Sequence, residues 1–488
     1  MRSEVEDELK VSFPEDAELP PLADEKAGLR AEARAPVVLR SVYHDTADGR
    51  LLAAGVTVRR RTRAGGSSTW DVKVPVKPGD TSVRREVSFT DRAATPPARV
   101  ADLLVAWTGG EALVPVATLR TRRLTWTVVG ESGEPVAIVV DDDVEHLDGR
   151  AVLARFREVE VERHGVDEAY VRRLARRLAK AGGEPSTPTK LARVLGAEPR
   201  KPAKVRRDGP AVTLLAASLR RATADLLAAD VGARLGEDDA IHQLRVACRR
   251  MRSDLRAFGG WVDADWRDSL VEELRWAAGA LGTARDAEVV AERIANAAAD
   301  LGDEAAPLLA DVAARRVAAE AAVAETLRDP RYVALVARLR TADLPPVEGP
   351  PARDAAAEVV TSAWRDLERS VRRLRGSRTH PDAAWHAVRI NAKRARYAAE
   401  TASVVLGRDA SRLAKAAERV QDVLGTFHDA TCAAALLNEL AAGRDGTFGV
   451  VAGRLVEREL RAAEAAKAGL RPVWRDVAVP ELKRWRRR

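Results

Sequence analysis

Six short stretches in the first third of the chain alternate apolar with charged residues, so that each, as a strand, carries one wholly polar face. In EVEDELK, Glu4, Glu6, Glu8 and Lys10 stand at every second position, with Val5 and Leu9 between them, and residues two apart share one face of a strand. VTVRRRTR places Arg59, Arg61 and Arg63 together, WDVKVP pairs Asp71 with Lys73, and SVRREVSF sets Arg84 and Glu86 opposite Val83, Val87 and Phe89. Further on, Val140 and Val144 flank a polar pair read as Asp141 and Asp143, and REVEVER gathers Glu158, Glu160 and Glu162. A one-sided antiparallel sheet with its charged face in water accounts for any one of these strands. It accounts less well for all six, because the signs are sorted, with acids on the first and last strands and cations on the middle ones. A closed barrel is the alternative, with apolar side chains outward under helices and charged ones lining the bore. Such a bore suits a ligand that answers both signs. Arg and Lys pair with phosphate oxygens, while clustered carboxylates hold hard cations such as Mg²⁺ or Mn²⁺.

The β-like pattern, punctuated by turn signals such as TADGR, KPGD and GESGE, ends near Gly165. From Ala211 onward the chain is Ala-, Leu- and Arg-rich with helical periodicity, and GAEPRKPAKVRRDGP between the two regimes has the composition of a linker. At 488 residues the chain exceeds one ordinary core. The expected division is a β-rich domain over 1–198, a linker over 199–210 and an all-α domain over 211–488. Lys and Arg number 81 against 73 Asp and Glu, a small basic excess that favours anionic partners only weakly. Two cysteines, Cys248 and Cys432, provide no disulfide framework, and the acidic N-terminus does not read as a signal peptide, which points to a reducing cytoplasm. The apolar run AVTLLAASL falls short of the ~20 residues that cross a bilayer.

The helical half is internally duplicated. IHQLRVACRRMRSDL, with His242, Arg245, Arg249 and Arg252, realigns 144 positions later on WHAVRINAKRARYAA, with His386, Arg389, Lys393 and Arg396. Each copy is followed at similar distance by a second match, ending in Arg285-Asp286 and in His428-Asp429. At about 100° per residue, His242, Arg245, Arg249, Arg252 and Arg256 fall within an arc of about 80°. Leu244, Cys248, Met251, Leu255 and Phe258 form the core side. A solvated basic face explains either helix alone; the same spacing in both copies favours a shared anion site.

The first half resembles the CYTH superfamily of triphosphate tunnel metalloenzymes. Glu6-Asp7-Glu8-Leu9-Lys10 matches its ExExK signature, followed in order by YHDTADGRLLAAGVTVRRR, WDVKVP, RREV, TRRLTW, VVDDDV and FREVEVE. The resemblance implies an eight-stranded antiparallel tunnel with flanking helices and a metal-assisted phosphoryl transfer to water. It implies Glu6, Glu8, Glu158, Glu160 and Glu162 as metal-facing acids, with Glu6, Glu8, Lys10 and Glu160 at the catalytic centre. Lys10, Arg59, Arg61, Lys73, Arg84 and Arg123 are implied as phosphate-facing cations; in Thr121-Arg122-Arg123 only Arg123 has the parity to face the bore. The second half resembles the CHAD domain, which implies two pseudo-symmetric four-helix bundles and a groove for inorganic polyphosphate lined by His242, Arg245, Arg249, Arg252, His386, Arg389, Lys393 and Arg396. The expected function is metal-dependent hydrolysis of inorganic triphosphate or short polyphosphate, with polyphosphate held by the helices. The alternatives are a non-catalytic binder targeted to polyphosphate granules and a class IV-type adenylyl cyclase. Aromatic residues are 4% of the chain and none interleaves with the basic stripe, which disfavours stacked nucleic acid.

Overall fold

A computed structural model describes residues 2–63, 66–76, 83–163, 168–197, 204–341, 344–375, 381–444 and 446–478. The turn expected at 77–80 and residues 199–203 of the expected linker lie outside these. The chain divides into two compact units, Met1–Lys201 and Pro202–Arg488.

The first unit is a closed antiparallel barrel. Its strands are β1 (Arg2–Phe13), β2 (Arg30–Ala33), β3 (Val37–Asp45), β4 (Thr57–Arg63), β5 (Ser68–Pro75), β6 (Val83–Thr90), β7 (Val114–Val129), β8 (Pro135–Asp148), β9 (Ala151–Arg163) and β10 (Glu184–Pro185). Eight of them run around the barrel in the order β1-β6-β5-β4-β3-β7-β8-β9, with β2 and β10 as short additions. Closure comes from β1, whose first half pairs with β6 (Glu6 opposite Arg84) and whose second half pairs with β9 (Lys10 opposite Glu160). A barrel closed in this way leaves no open sheet edge.

The pairing carries one side-chain parity around the ring. Arg59 lies opposite Asp71 and Tyr43, Lys73 opposite Glu86, and Arg123 opposite Asp142. These face the bore. The outward parity is apolar: Val11, Phe13, Val139, Val159 and Val161 pack under Tyr170, Leu174 and Leu178 of helix α3 (Glu168–Lys180). Two helices precede it, α1 (Arg50–Ala53) and α2 (Ala98–Thr108), and a short one follows, α4 (Lys190–Val194).

The second unit contains nine α-helices among its described residues: α5 (Val212–Leu235), α6 (Ala240–Phe258), α7 (Ala264–Ala297), α8 (Ala306–Arg328), α9 (Pro330–Arg340), α10 (Ala352–Arg375), α11 (Asp382–Leu406), α12 (Arg408–Ala441) and α13 (Gly446–Val477). The duplication is visible in their lengths: α5 and α10 both have 24 residues, α7 and α12 both have 34. The fourth helix of the first half is broken into α8 and α9 at Asp329, which is extended and caps the new start by accepting from Arg331 N at 2.8 Å. Pro330 supplies no N–H there and suits a first helical turn. The halves share a core, in which Val290, Ile294, Leu308 and Val312 meet Ala433, Leu437, Val451 and Leu455. No helix among the described residues is long and apolar enough to cross a membrane.

Candidate functional site: a charged tunnel and a basic helical groove

The barrel encloses a cavity of about 680 Å³ lined by Glu6, Lys10, Arg59, Arg61, Lys73, Arg84, Arg123, Glu160 and Glu162, among others. Of the expected tunnel residues, Glu8 and Glu158 do not line it; they are buried beside it, at 3% and 0% exposure. The strand parity brings these groups together, and the cations do not stand alone. Asp71, 1% exposed, takes Arg59 at 3.1 Å and Arg61 at 2.6 Å; Glu86 takes Lys73 at 2.9 Å and Arg61 at 3.4 Å. Sorting by sign is therefore incomplete, because two acids are set within the cationic wall. They permit two guanidiniums to sit side by side in a space too dry for either alone.

The electrostatics follow from that crowding. Arg59 is the first cause lowering Arg61, with burial second. Burial opposes the charge on Lys73, yet Glu86, Glu8 and Glu6 outweigh it and raise the ammonium above its ordinary value. Burial, with the neighbouring Glu86, pushes Glu6 up to about 8, while Lys73, Arg59 and Arg61 hold Glu86 below the usual range despite its burial. Arg84 is lowered by burial and donates to the carbonyls of Gly55 (2.7 Å) and Lys73 (3.0 Å). Tyr43 lies 3.4 Å from Arg59 through its hydroxyl.

On β8 the inward acid is Asp142, which corrects the sequence reading. Asp142 is fully buried and receives Arg123 through two bonds, Nε to Oδ1 at 2.8 Å and NH2 to Oδ2 at 2.6 Å. Asp141 has the outward parity and pairs with Arg157 at 2.7 Å; Asp143 is exposed against Arg122. Three consecutive aspartates hide their own phase, and only the register with Arg123 and Glu158 resolves it.

The sequence reading also missed Lys190. Helix α4 begins at Thr189, which caps it by accepting from Ala192 N at 3.1 Å. Its first residue, Lys190, extends into the bore, where Nζ lies 2.6 Å from Glu160, 2.9 Å from Glu158 and 3.1 Å from Asp142. The next residue, Leu191, packs with Tyr43, Leu119, Val144 and Phe156 and fills that end of the barrel. Strand periodicity could not reveal a residue carried by a helix. One local signal exists, since an ammonium at the first turn of a helix opposes the helix dipole and needs a compensating partner. Burial resists the charge on Glu160, but Lys190, Lys10 and Arg123 hold it well below its ordinary value; burial raises Glu158. Among the described residues no three carboxylate, imidazole or thiol groups stand in a metal-holding arrangement. The acids turn instead to the nearest ammonium: Glu6 to Lys73, Glu8 to Lys10 at 2.8 Å, and Glu158 and Glu160 to Lys190.

In the helical unit, α6 and α11 lie side by side. Arg249 Nε donates to the Tyr397 hydroxyl at 3.1 Å, Arg250 donates to Glu400 at 2.7 Å, and Thr401 Oγ1 donates to Asp254 at 3.2 Å. Their electrostatic influence on one another groups Arg245 and Arg249 with Arg389 and Lys393. Arg245 also bonds Asp286 at 2.6 Å. Arg252 belongs to a second group with Arg256 and Arg275. Arg396 is drawn to Glu400 at 2.8 Å and Glu418 at 3.0 Å, so the stripe of the second copy is partly neutralised. His386 stands 5.4 Å from His428, ring to ring, whereas burial and Arg285 act on His242.

Two protein families match parts of this chain. A CYTH domain matches residues 3–193 and a CHAD domain matches residues 217–438. An uncharacterized protein of Mycobacterium tuberculosis is 30% identical, with 91% of each chain covered. PptA from Streptomyces chartreusis is 25% identical, covering 55% of this chain and all of that one, with a TM-score of 0.47. The CHAD domain from the plant Ricinus communis is 23% identical, covering 57% of this chain and 95% of that one, also with a TM-score of 0.47. With both domain models matched in order along one chain and a relative aligned across nearly its whole length, the protein belongs to the family in which a CYTH domain is followed by a CHAD domain.

Proposed function

We propose that the tunnel hydrolyses inorganic triphosphate or short inorganic polyphosphate with a divalent metal, Mg²⁺ or Mn²⁺, and that the helical unit binds inorganic polyphosphate. The observation that carries this reading is a single cavity with Arg59, Arg61, Lys73 and Arg123 on its walls together with Glu6, Glu160 and Glu162. A phosphate chain answers the cations, and the acids require something cationic beyond it. Glu158 Oε2 is buried without a hydrogen-bond donor, and Glu8 Oε1 has the Lys10 ammonium at 2.8 Å. Such an oxygen is costly to bury and suits an oxygen-seeking divalent ion, and Glu6, Glu8, Glu158, Glu160 and Glu162 are the acids that would hold one once phosphate draws away the ammoniums now paired with them. When bound, the ion would neutralise phosphate charge and acidify a water.

The chain's own residues have separable tasks. Arg59, Arg61 and Arg123 offer planar forks to phosphate oxygens, and Lys73 and Lys10 offer compact charges. Asp71 and Asp142 hold the forks in place. Helix α4 closes one end of the barrel, which suits short chains entering from the other end. Charge building up on the leaving pyrophosphate would be met by groups already oriented, the arrangement that phosphoryl transfer rewards.

The test is a phosphate-release screen of the full chain against triphosphate, ATP, thiamine triphosphate and long polyphosphate, with Mg²⁺ and Mn²⁺ separately. Pyrophosphate and orthophosphate as products support the hydrolase. A cyclic nucleotide from ATP would instead support the cyclase, which is disfavoured because Tyr43 is the one aromatic among the described lining residues. The non-catalytic reading, a protein directed to polyphosphate granules by its helices, draws on the ion pairs that already occupy the acids. Binding without turnover for every substrate and metal would establish it.

A further inference from the structure

The basic groove that the polyphosphate reading assigns to α6 and α11 contains one cation whose surroundings differ from the rest. The contacts Asp254 to Thr401, Arg250 to Glu400 and Arg249 to Tyr397 fall in the same order along α6 and α11, so the two helices run parallel. One turn closer to their N-termini, Arg245 and Arg249 meet Arg389 and Lys393. There counter-charge is sparse, with Asp286 on Arg245 and Asp429 of α12 acting on Arg389 and Lys393. Lys393 is half-buried and has no ion pair among the described residues, and Arg389 Nε is buried without a hydrogen-bond partner. Neighbouring cations are relieved elsewhere, Arg245 by Asp286, Arg250 and Arg396 by Glu400.

We propose that Lys393 is the proton-linked member of this groove, shedding its proton in the ligand-free chain and regaining one from solvent when polyphosphate lies across Arg245, Arg249 and Arg389. The inference rests on the polyphosphate reading above. Its physical basis is that an ammonium is the one cation here able to discharge, since a guanidinium does not deprotonate in proteins. Burial first, then Arg249, Arg389 and Arg245, bring Lys393 down to about 7, with Asp429 of α12 opposing. The other titratable groups facing it are His386 of α11, lowered by burial, Arg389 and Lys393, and His428 of α12, brought down to about 4 by burial, Arg389 and His386. On α7 Asp286 is committed to Arg245, and on α12 burial raises the Cys432 thiol. Above neutral pH the imidazoles are thus uncharged in the free chain, and Lys393 is left as the group that responds. A polyanion reverses the local potential, restores the ammonium and gains a fourth charge to hold. The groove would thereby avoid the full cost of four crowded cations until the ligand arrives.

The affinity of the full chain for long-chain polyphosphate, measured at constant ionic strength between about pH 7 and about pH 9, is expected to fall by up to about tenfold per pH unit, the limit for one proton. Long chains keep titration of the terminal phosphates a small part of the signal. Calorimetry in two buffers of different ionisation heat should show proton uptake on binding. K393R should bind tightly with neither the pH slope nor the uptake. K393Q should also be flat, weaker than the parent at neutral pH and converging with it as pH rises. Independently of any anion, acylation of Lys393 by a neutral reagent, followed by mass spectrometry, should become half-maximal near neutral pH. Tight binding that is flat in pH, or an acylation profile like that of a surface lysine, overturns the inference while leaving polyphosphate binding intact. No binding at any pH would overturn the polyphosphate reading and this inference with it; the acylation profile would then show whether Lys393 is discharged at all.

Discussion

Replacing Lys190 with Met keeps the length of the side chain and removes its charge. In the native barrel Lys190 is 8% exposed and its ammonium lies within 3.1 Å of three carboxylates: Glu158, Glu160 and Asp142. Arg123 still compensates Asp142 and reaches Glu160 at 3.5 Å, but Glu158 loses its ion-pair partner. Breaking a buried ion pair from one side costs about 3–5 kcal/mol. For a unit of this size each kcal/mol lowers the melting temperature by roughly 2–4 °C, so a drop of roughly 6–20 °C is expected. Limited proteolysis along a temperature ramp, with fragments assigned by mass spectrometry, separates melting of the barrel from that of the helices. The pH dependence supplies a second check. Glu160 is held below its ordinary value, so its stabilisation is present above the unfolded carboxylate value of about 4.3 and lost as pH falls through the folded value. K190M lacks much of that stabilisation at neutral pH, so its deficit should shrink on acidification. K190R, which retains the charge, should lose less. A deficit below about 2 °C, or one that does not change with pH, would refute the reasoning, because packing of the alkyl stem alone carries no proton dependence.

E160Q and E6Q remove carboxylate charge with little change in volume, and phosphate release from triphosphate should fall by orders of magnitude while circular dichroism is unchanged; unaltered turnover would remove the tunnel from the proposed chemistry. Triphosphate with Mg²⁺ should raise the melting temperature of the barrel in the full chain by linkage, and an equal shift from orthophosphate at matched ionic strength would reduce the site to a general anion patch. Because Glu6 is raised to about 8 and must deprotonate to hold a metal, Mn²⁺ binding should tighten as pH rises towards 8 and release protons in calorimetry. R245Q combined with R389Q should weaken polyphosphate binding and flatten its dependence on salt, by roughly 0.7 in log–log slope for each phosphate that is no longer neutralised, with triphosphate cleavage retained.

Much of the site is legible in the chain itself because strand periodicity is a local property. Glu6, Lys10, Arg59, Arg61, Lys73 and Glu160 share a parity that a closed barrel can direct only inward or outward, and the apolar parity needed α3 to cover it. The phase of the aspartate run is not legible. Residues 141–143 offer an acid on either parity, and the choice belongs to the register with β7 and β9. The duplicated stripe is likewise readable as a helical face, but the fate of Arg396 depends on Glu400 and Glu418, the latter on a different helix.

The sequence by itself determined two units, a β-rich one and a helical one with an internal repeat, because alternation with period two and stripes with period 3.6 are written along the chain. It determined which residue types would be confronted with one another in the bore. Only the tertiary structure decided how those charges are answered: that Asp71 takes Arg59 and Arg61 while Glu86 takes Lys73, that α4 closes one end with Leu191 and delivers Lys190 to Glu158 and Glu160, and that Lys393 meets three arginines without an ion pair among the described residues. The physical reason is range. Periodicity depends on neighbours in sequence, whereas the energy of a buried charge depends on whatever lies within a few ångströms in space, and those partners come from strands and helices far apart along the chain.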